Sequence, residues 1–216
     1  FNTPFRNIKT LKVQTTDVEP FSLEEVQLII SKVRPDFRDY FLIRFFTGMR
    51  TGEVDGLQWK YVDINKRQIL IRETVVQGKV SSTKNLGSKR IIEMSAPVIE
   101  AFKRLQQNAL PNDKFVFTNK VGKPLEHRNV TQRIWYPLLD QLGLNRRNPY
   151  QTRHSAATLW LAAGESPEWI ARQMGHSTTR MLFTIYSRYV PNLTRQDGSA
   201  IDRLLASKGF NDDAEI

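Results

Sequence analysis

The stretch that decides the fold spans residues 150–190 and reads YQTRHSAATLWLAAGESPEWIARQMGHSTTRMLFTIYSRYV. Within it, Arg153 and His154 begin a run of small apolar residues that is typical of a closely packed helix. Gly164 ends this helix, and a second, shorter helix ends at Gly175. The stretch therefore predicts two short helices joined by a tight turn, with polar side chains near their ends.

The polar side chains of this stretch can act together on a phosphate. They are one guanidinium, two imidazoles and a phenol: Arg153, His154, His176 and Tyr186. A guanidinium binds phosphate oxygens through its planar fork. A phenol can attack phosphorus if nearby groups help it to lose its proton, because its ordinary pKa is about 10.

A further arginine lies upstream in a glycine-rich turn, TGMRTGEVDGL, at residues 47–57. Arg50 lies between two glycines, and Glu53 follows three residues later, close enough to fix the guanidinium. Taken alone, this pattern fits either a solvated turn or an arginine directed at a phosphate.

Two helices are predicted before this turn. Ser22 and Glu25 form a capping box at the start of the first helix. Pro35 fits the first turn of the second helix, which ends at Gly48. The aromatic residues of the second helix are expected in the core: Phe37, Phe41, Phe45 and Phe46.

The segments after the turn predict a mainly helical α+β fold with a small antiparallel sheet. Residues 59–94 contain short apolar strands separated by turns, with a hairpin that carries TKNLGSKR at residues 83–90. A short strand is expected at residues 115–117. A helix is expected over residues 129–142, where Pro137 should introduce a kink.

The charge of the chain indicates an anionic partner, most often a nucleic acid. The 216 residues include 32 Lys and Arg against 22 Asp and Glu, which gives a net charge of +10. The run NRRN at residues 145–148 is expected to expose part of this positive charge.

Several classes of site have no support in the sequence. There is no cysteine, no G-x-x-x-x-G-K-[ST] or G-x-G-x-x-G loop, and no H-E-x-x-H motif. We therefore predict that the protein uses no metal ion and no cofactor. No apolar run approaches the roughly 20 residues that span a bilayer, so no membrane association is expected.

The separated motifs together resemble the tyrosine recombinase, or phage integrase, family over residues 47–190. Residues 47–54 match T-G-x-R-x-x-E-L, with Val54 in place of leucine. The pair R-H at residues 153–154, the sequence M-G-H-S at residues 174–177 and a tyrosine ten residues after His176 follow in the family's order.

The resemblance implies how a scissile phosphate would be bound. Arg50 and Arg153 would grip the phosphate, and His176 would donate to a non-bridging oxygen. Glu53 would support Arg50, and His154 would have a supporting structural role.

The resemblance also implies a general acid on the predicted hairpin. Lys84 is the best positional match for the lysine that protonates the leaving 5′ oxygen. Lys89 is the next candidate, and Lys79 follows it.

Tyr186 matches the nucleophile, which would leave a 3′-phosphotyrosyl link to DNA. Tyr189 is the alternative, but Tyr186 better fits the family's spacing from His176. One position departs from the family pattern, because Tyr150 stands where histidine or lysine is usual. A neutral phenol is a poor proton acceptor near pH 7, so the sequence leaves the general base open.

The function implied is that of a site-specific DNA recombinase, an integrase of a phage or other mobile element that needs neither metal nor ATP. Two alternatives remain at this point: a type IB topoisomerase-like relaxing enzyme, and a non-cleaving DNA-binding regulator with the same fold. A covalent protein–DNA adduct distinguishes the regulator from the enzymes.

The resemblance also implies a domain organisation and partners. Residues 1–20 would be a linker from a missing N-terminal DNA-binding domain, and residues 21–191 the catalytic domain. Residues 192–216 would form a C-terminal segment that neighbouring protomers could exchange. The expected partners are double-stranded DNA attachment sites, a homotetramer on that DNA and accessory DNA-bending proteins, in the nucleoid of a bacterial cytoplasm.

Overall fold

In the computed structural model, residues 18–76, 79–82, 89–110, 113–186, 189 and 207 are described. The described helices are α1 (Leu23–Lys32), α2 (Pro35–Thr47), α3 (Thr51–Asp55), α4 (Ala96–Asn108), α5 (His127–Val130), α6 (Tyr136–Gln141), α7 (Gln151–Ala162), α8 (Pro167–Met174) and α9 (Arg180–Tyr186). The strands are β1 (Val62–Asp63), β2 (Gln68–Ile71), β3 (Glu73–Val76), β4 (Lys79–Ser82) and β5 (Arg90–Glu93). The predicted fold class, mainly helical α+β with a small antiparallel sheet, is confirmed.

The ends of α1 and α2 follow local sequence signals. The Ser22 hydroxyl accepts from the Glu25 backbone N–H at 3.2 Å, and the Glu25 carboxylate accepts from the Ser22 N–H at 2.9 Å, which is the predicted capping box. Pro35 occupies the first turn of α2, and Gly48 ends this helix with φ +60°.

The main core surrounds α2 and a tryptophan that precedes α6. The Phe41 ring stacks on Trp135 with a centroid distance of 4.9 Å, and Phe45 is also fully buried. Phe37 and Phe46 are only partly buried, so the expectation that all four α2 phenylalanines are core residues is wrong for these two. The two lie at the edge of the α2 face that carries Phe41 and Phe45, where they pack against the core without being enclosed.

The strands form two antiparallel units. One is a three-stranded sheet in the order β1-β2-β5, and the other is the β3–β4 hairpin. Helix α3 packs directly on β3, because Gly52 leaves room for the strand backbone. A Cβ at Gly52 would lie only 2.4 Å from the Val75 carbonyl oxygen. This close approach fixes the hairpin beside the turn that carries Arg50.

Two segments differ from the sequence prediction. Residues 115–117 form an isolated bridge between Phe115 and Gln58 rather than a strand. The helix expected over residues 129–142 begins earlier, at His127, and contains a π-helical turn at Thr131–Trp135. Pro137 follows this turn closely and has no N–H for the α-helical ladder, which accounts for the widened turn.

The run at residues 145–148 is less exposed than predicted. Arg146 pairs with Asp140 on the surface, as expected of a solvated arginine. The Arg147 side chain is instead only 11% exposed, donates to both carboxylate oxygens of Glu25 and lies 4.1 Å from the Phe21 ring centroid. The expectation of exposed charge is therefore wrong for Arg147, whose partner lies 122 residues away.

A second apolar cluster lies under α7, α8 and α9. Small residues on α7, such as Ala157, let the other two helices approach closely. Ile170, Met174 and Leu182 fill the space between them, and each is fully buried. The Tyr186 ring belongs to the same cluster. The packing of small side chains thus brings the end of α9 against the start of α7.

Candidate active site

Arg50 is held in place by the helix that it precedes. Its backbone N–H donates to Glu53 Oε2 at 2.8 Å, and its Nη1 donates to Glu53 Oε1 at 2.9 Å. The Arg50 side chain remains 36% exposed, whereas that of Glu53 is 3% exposed. The guanidinium is therefore oriented by a buried carboxylate and still accessible to a ligand.

Arg90 on β5 is a member of the site that the sequence analysis missed. Its Nη1 and Nη2 donate to Glu53 Oε1 and Oε2, both at 2.8 Å, and its Nε donates to the Gln173 carbonyl at 2.6 Å. Burial alone would raise the pKa of Glu53, but the hydrogen bonds and charge of Arg90 lower this pKa below its ordinary value. Arg90 thus joins α3, β5 and α8.

Arg153 on α7 is almost fully buried, at 2% exposure. Its Nη1 donates to the Gly48 carbonyl, and its Nη2 donates to the Met174 carbonyl at 2.6 Å. Burial lowers the pKa of Arg153 to about 10, so the side chain is a cation at neutral pH. The left-handed conformation of Gly48 positions its carbonyl for this bond, which links the two arginine motifs.

His176 follows the left-handed Gly175 that ends α8. Its Nε2 lies 3.2 Å from Arg153 Nη2 and accepts from it, because a guanidinium can only donate. Burial and the charges of Arg153, Arg50 and Arg90 lower the pKa of His176 to about 4. The neutral ring then carries its proton on Nδ1, which is buried and has no hydrogen-bond partner among the described residues. His176 therefore has a spare donor.

Tyr186 at the end of α9 lies beside His154 on α7. The Tyr186 hydroxyl is 2.8 Å from His154 Nδ1, and the Tyr186 residue is 1% exposed. Burial raises the pKa of Tyr186 above its ordinary value, although the charge of Arg153 opposes this. The phenol is therefore neutral at pH 7 and hydrogen-bonded to an imidazole.

Tyr150 is the residue immediately before α7 and is 41% exposed. Its ring meets the edge of the His154 ring, with centroids 5.2 Å apart. Tyr150 is therefore exposed at the head of the Arg153 helix rather than buried in the core.

The structure describes two of the three candidate lysines, Lys79 and Lys89. Lys84 lies outside the described residues. Lys89 is exposed immediately before β5, and the backbone of Lys79 lies in β4. The Tyr189 hydroxyl donates to the Val18 carbonyl, whereas the Tyr186 hydroxyl contacts His154, the residue next to Arg153. This difference favours Tyr186 over Tyr189 as the residue near the candidate site.

Within the described parts of the chain, no group of three or more histidine or acidic side chains is arranged to hold a metal ion. None of the described helices is long and apolar enough to cross a bilayer.

Arg50, Arg153, His176 and Tyr186 thus lie in one region of this fold. The model of the phage integrase family matches residues 21–192. The chain belongs to the phage integrase family, as its motifs predicted.

Curated relatives cover most of this chain. The prophage integrase IntR of Escherichia coli (strain K12) is 25% identical over 227 residues, which cover 94% of this chain and 55% of IntR. The ICEBs1 integrase of Bacillus subtilis (strain 168) is 24% identical over 219 residues, which cover 94% of this chain and 59% of that protein. The chain thus spans about half the length of the curated relatives it matches.

Solved structures show the same fold. The Tn1549 transposon integrase in complex with circular intermediate DNA superposes with a TM-score of 0.71 at 22% identity, over 82% of this chain and 64% of that one. The XerA recombinase superposes with a TM-score of 0.63 at 19% identity, over 90% of this chain and 66% of that one. Both are similar in fold to the chain described here.

Proposed function

We propose that this chain is the catalytic domain of a site-specific DNA recombinase, an integrase of a phage or another mobile element. It cleaves a DNA strand and rejoins it through a 3′-phosphotyrosyl intermediate, without a metal ion or ATP. Support comes from membership of the phage integrase family and from relatives named as integrases. The Tn1549 integrase, which has the same fold, was solved with DNA.

The observation that carries this proposal is the meeting of Arg50, Arg153 and His176 in one electrostatic group. Arg153 contacts His176 directly, and the charges of both arginines lower the pKa of the His176 ring. Arg50 lies more than 100 positions before Arg153 and His176 in the chain, so the fold brings the three side chains together. An accessible guanidinium, a buried guanidinium and a spare imidazole donor together suit a phosphate anion.

In this proposal, Arg50 and Arg153 bind the scissile phosphate and stabilise the charge that develops on its oxygens. The free Nδ1–H of His176 donates to a non-bridging oxygen. Tyr186 attacks phosphorus, and Lys84 protonates the departing 5′ oxygen. Glu53 holds Arg50 in position for this step.

A basic groove beside His176 supports DNA binding next to this group. It is lined by Lys89, Arg172 and His176, together with the β5 residues around Ile91. Lys89 and Arg172 are exposed, so they can neutralise phosphates that neighbour the scissile one. Each such contact adds to the salt dependence of DNA affinity.

We further propose a larger assembly around this domain. Residues 21–191 form the catalytic domain, residues 1–20 link it to an N-terminal DNA-binding domain, and residues 192–216 are exchanged between protomers of a DNA-bound homotetramer. The chain's coverage of only about half of its curated relatives supports an additional domain. Accessory DNA-bending proteins assist this complex in the bacterial cytoplasm, at the nucleoid.

A nicked suicide substrate tests the proposed function. The substrate is a duplex from the DNA that flanks the element, nicked so that the cleaved fragment diffuses away and religation is prevented. The proposal predicts a covalent protein–DNA adduct and, with two intact duplexes, strand exchange. Adduct and relaxation without strand exchange would indicate a topoisomerase-like enzyme, and specific binding without an adduct would indicate a regulator.

A further inference from the structure

The contact between His154 and Tyr186 joins two residues that the family motifs treat separately. The Tyr186 hydroxyl and His154 Nδ1 are 2.8 Å apart, within the distance at which a proton can pass directly between them. The two side chains are 32 residues apart in sequence and meet because α9 packs on α7. Among the described residues, His154 is the histidine that directly contacts the Tyr186 phenol.

The protonation state of His154 suits a proton acceptor. Burial, followed by the charge of Arg153, lowers the pKa of His154 to about 4, so the ring is neutral at pH 7. Burial raises the pKa of Tyr186, so the phenol retains its proton and donates it in this hydrogen bond. A neutral ring that accepts at Nδ1 carries its own proton on Nε2, the tautomer that leaves the Nδ1 lone pair free.

The surroundings of His154 hold its ring in place. Tyr150 packs its ring against one side, with centroids 5.2 Å apart, and Tyr186 lies on another at 5.7 Å. The charged and titratable groups that face the ring are Arg153 on the same helix, Tyr150 before it, Tyr186 on α9 and His176 after α8. Among the described residues, the hydrogen-bond partner of His154 Nδ1 is the Tyr186 hydroxyl and not a carboxylate.

We propose that His154 is the general base that takes the proton from Tyr186 during DNA cleavage. This inference rests on the proposed function and fills the role that Tyr150 leaves open. The Tyr186 oxygen forms its bond to phosphorus while its proton moves to His154 Nδ1. The bond from phosphorus to the 5′ oxygen breaks, and that oxygen takes a proton from the general acid. In religation the 5′ hydroxyl attacks phosphorus and returns its proton to the conjugate base of the general acid, while the imidazolium returns its proton to the departing tyrosine oxygen.

Phosphate binding makes this transfer more favourable than the ligand-free pKa suggests. Arg153 is the nearest charge that opposes protonation of His154. A bound phosphodiester carries one negative charge, and contact with Arg153 offsets the repulsion that an imidazolium would experience there. The base is therefore strengthened when the substrate is present.

Substitution by asparagine distinguishes proton transfer from positioning. The asparagine Oδ1 can occupy the place of Nδ1 and accept the Tyr186 hydrogen bond, but an amide oxygen does not take up a proton near neutral pH. We expect His154→Asn to lower the single-turnover cleavage rate by about 10²- to 10⁴-fold, the range for loss of a general base. His127→Asn is the matched control, since His127 lies at the start of α5, outside this group.

The pH dependence of the cleavage rate distinguishes proton transfer from a structural role, because the loss of a purely structural contact would not change it. The parent rate should be flat above about pH 6, where His154 is already neutral. In His154→Asn the proton must leave to solvent, so the logarithm of the rate should rise with pH with a slope near one. A substrate with sulfur at the 5′ bridging position should rescue loss of the general acid but not His154→Asn.

The outcomes are separable from those of the proposed function. Absence of an adduct with the parent chain would overturn the proposed function itself. An adduct with the parent, together with a flat profile and a near-parent rate in His154→Asn, would overturn the general-base role alone. Faster cleavage by His154→Asn would also overturn it, because loss of the imidazole would then assist rather than slow the removal of the Tyr186 proton. Thermal melting and DNA affinity of the variant identify loss of folding, in which case His154→Gln replaces it.

Discussion

Arg90 and Glu53 form a paired contact in which two guanidinium nitrogens each donate to a separate carboxylate oxygen at 2.8 Å. Both side chains are almost fully buried, at 6% and 3% exposure. Glu53 also accepts a hydrogen bond from Arg50, so this one buried carboxylate orients both the accessible Arg50 and the buried Arg90. The position of Arg50 therefore depends on a strand residue that lies outside the recognised motifs.

Glu53→Gln should destabilise the protein strongly. The substitution leaves the buried Arg90 charge without its counter-ion, which costs about 3–5 kcal/mol when one partner of a buried pair is lost. Urea unfolding measures this change. Asp36→Asn is the control, because its partner Arg34 and Asp36 itself are each 58% exposed and such pairs contribute only about 0–1 kcal/mol. Similar losses in the two variants would contradict the structural role assigned to Glu53.

Stability should fall between pH 7 and pH 5 because of His154 and His176. Their pKa values are lowered to about 4 in the folded protein, whereas an unfolded histidine titrates near 6.5. Between these pKa values the unfolded chain binds more protons than the folded chain. The contribution of the two histidines to the free energy of unfolding is therefore fully present above about pH 7 and decreases as the pH falls through this window. Between pH 7 and pH 5, the melting temperature of the double variant His154→Asn/His176→Asn should decrease less than that of the parent. An equal loss would show that these rings are not held neutral.

Tyr150→Phe should reduce cleavage only modestly. The substitution keeps the ring that packs against His154 and removes one hydroxyl, which corresponds to roughly 0.5–1.5 kcal/mol, or about 2- to 12-fold in rate. Tyr150→His should be tolerated, since the position is 41% exposed. Single-turnover cleavage and thermal melting of both variants check this. A loss of several orders of magnitude in Tyr150→Phe, with unchanged melting, would give Tyr150 a direct catalytic role instead.

Lys84→Ala should slow cleavage of normal DNA strongly. The variant should nevertheless cleave a substrate with 5′-bridging sulfur nearly as fast as the parent does. The sulfur leaving group needs no proton, so it removes the requirement for a general acid. Lys89→Ala, tested in parallel, should show no such rescue. If Lys84→Ala is equally slow on both substrates, the acid is another residue, and Lys89 is the next to test.

Features set by neighbouring residues could be predicted from the sequence. The capping box of Ser22 and Glu25 and the end of α2 at Gly48 depend on contacts within a few residues. The same holds for α8, which ends at the left-handed Gly175. Local hydrogen bonds and backbone preferences determine these features, so pattern and spacing suffice.

Contacts between distant segments could not be read from the sequence in the same way. Arg147 looks like a solvated residue until α1 brings Glu25 to it, and His154 meets Tyr186 only through helix packing. Arg90 had one usable signal, because it lies two residues before the buried Ile92 and therefore on the same inner face of β5. A charged residue on a buried face requires a partner, but the sequence does not identify which one.

Mapping the covalent adduct shows directly whether Tyr186 is the nucleophile. The parent chain, Tyr186→Phe and Tyr189→Phe are each incubated with the nicked suicide duplex, and the adducts are digested and sequenced by mass spectrometry. The account predicts an adduct at Tyr186 in the parent and in Tyr189→Phe, and none in Tyr186→Phe, which still folds and binds DNA. An adduct at Tyr189, or one that persists in Tyr186→Phe, would contradict it.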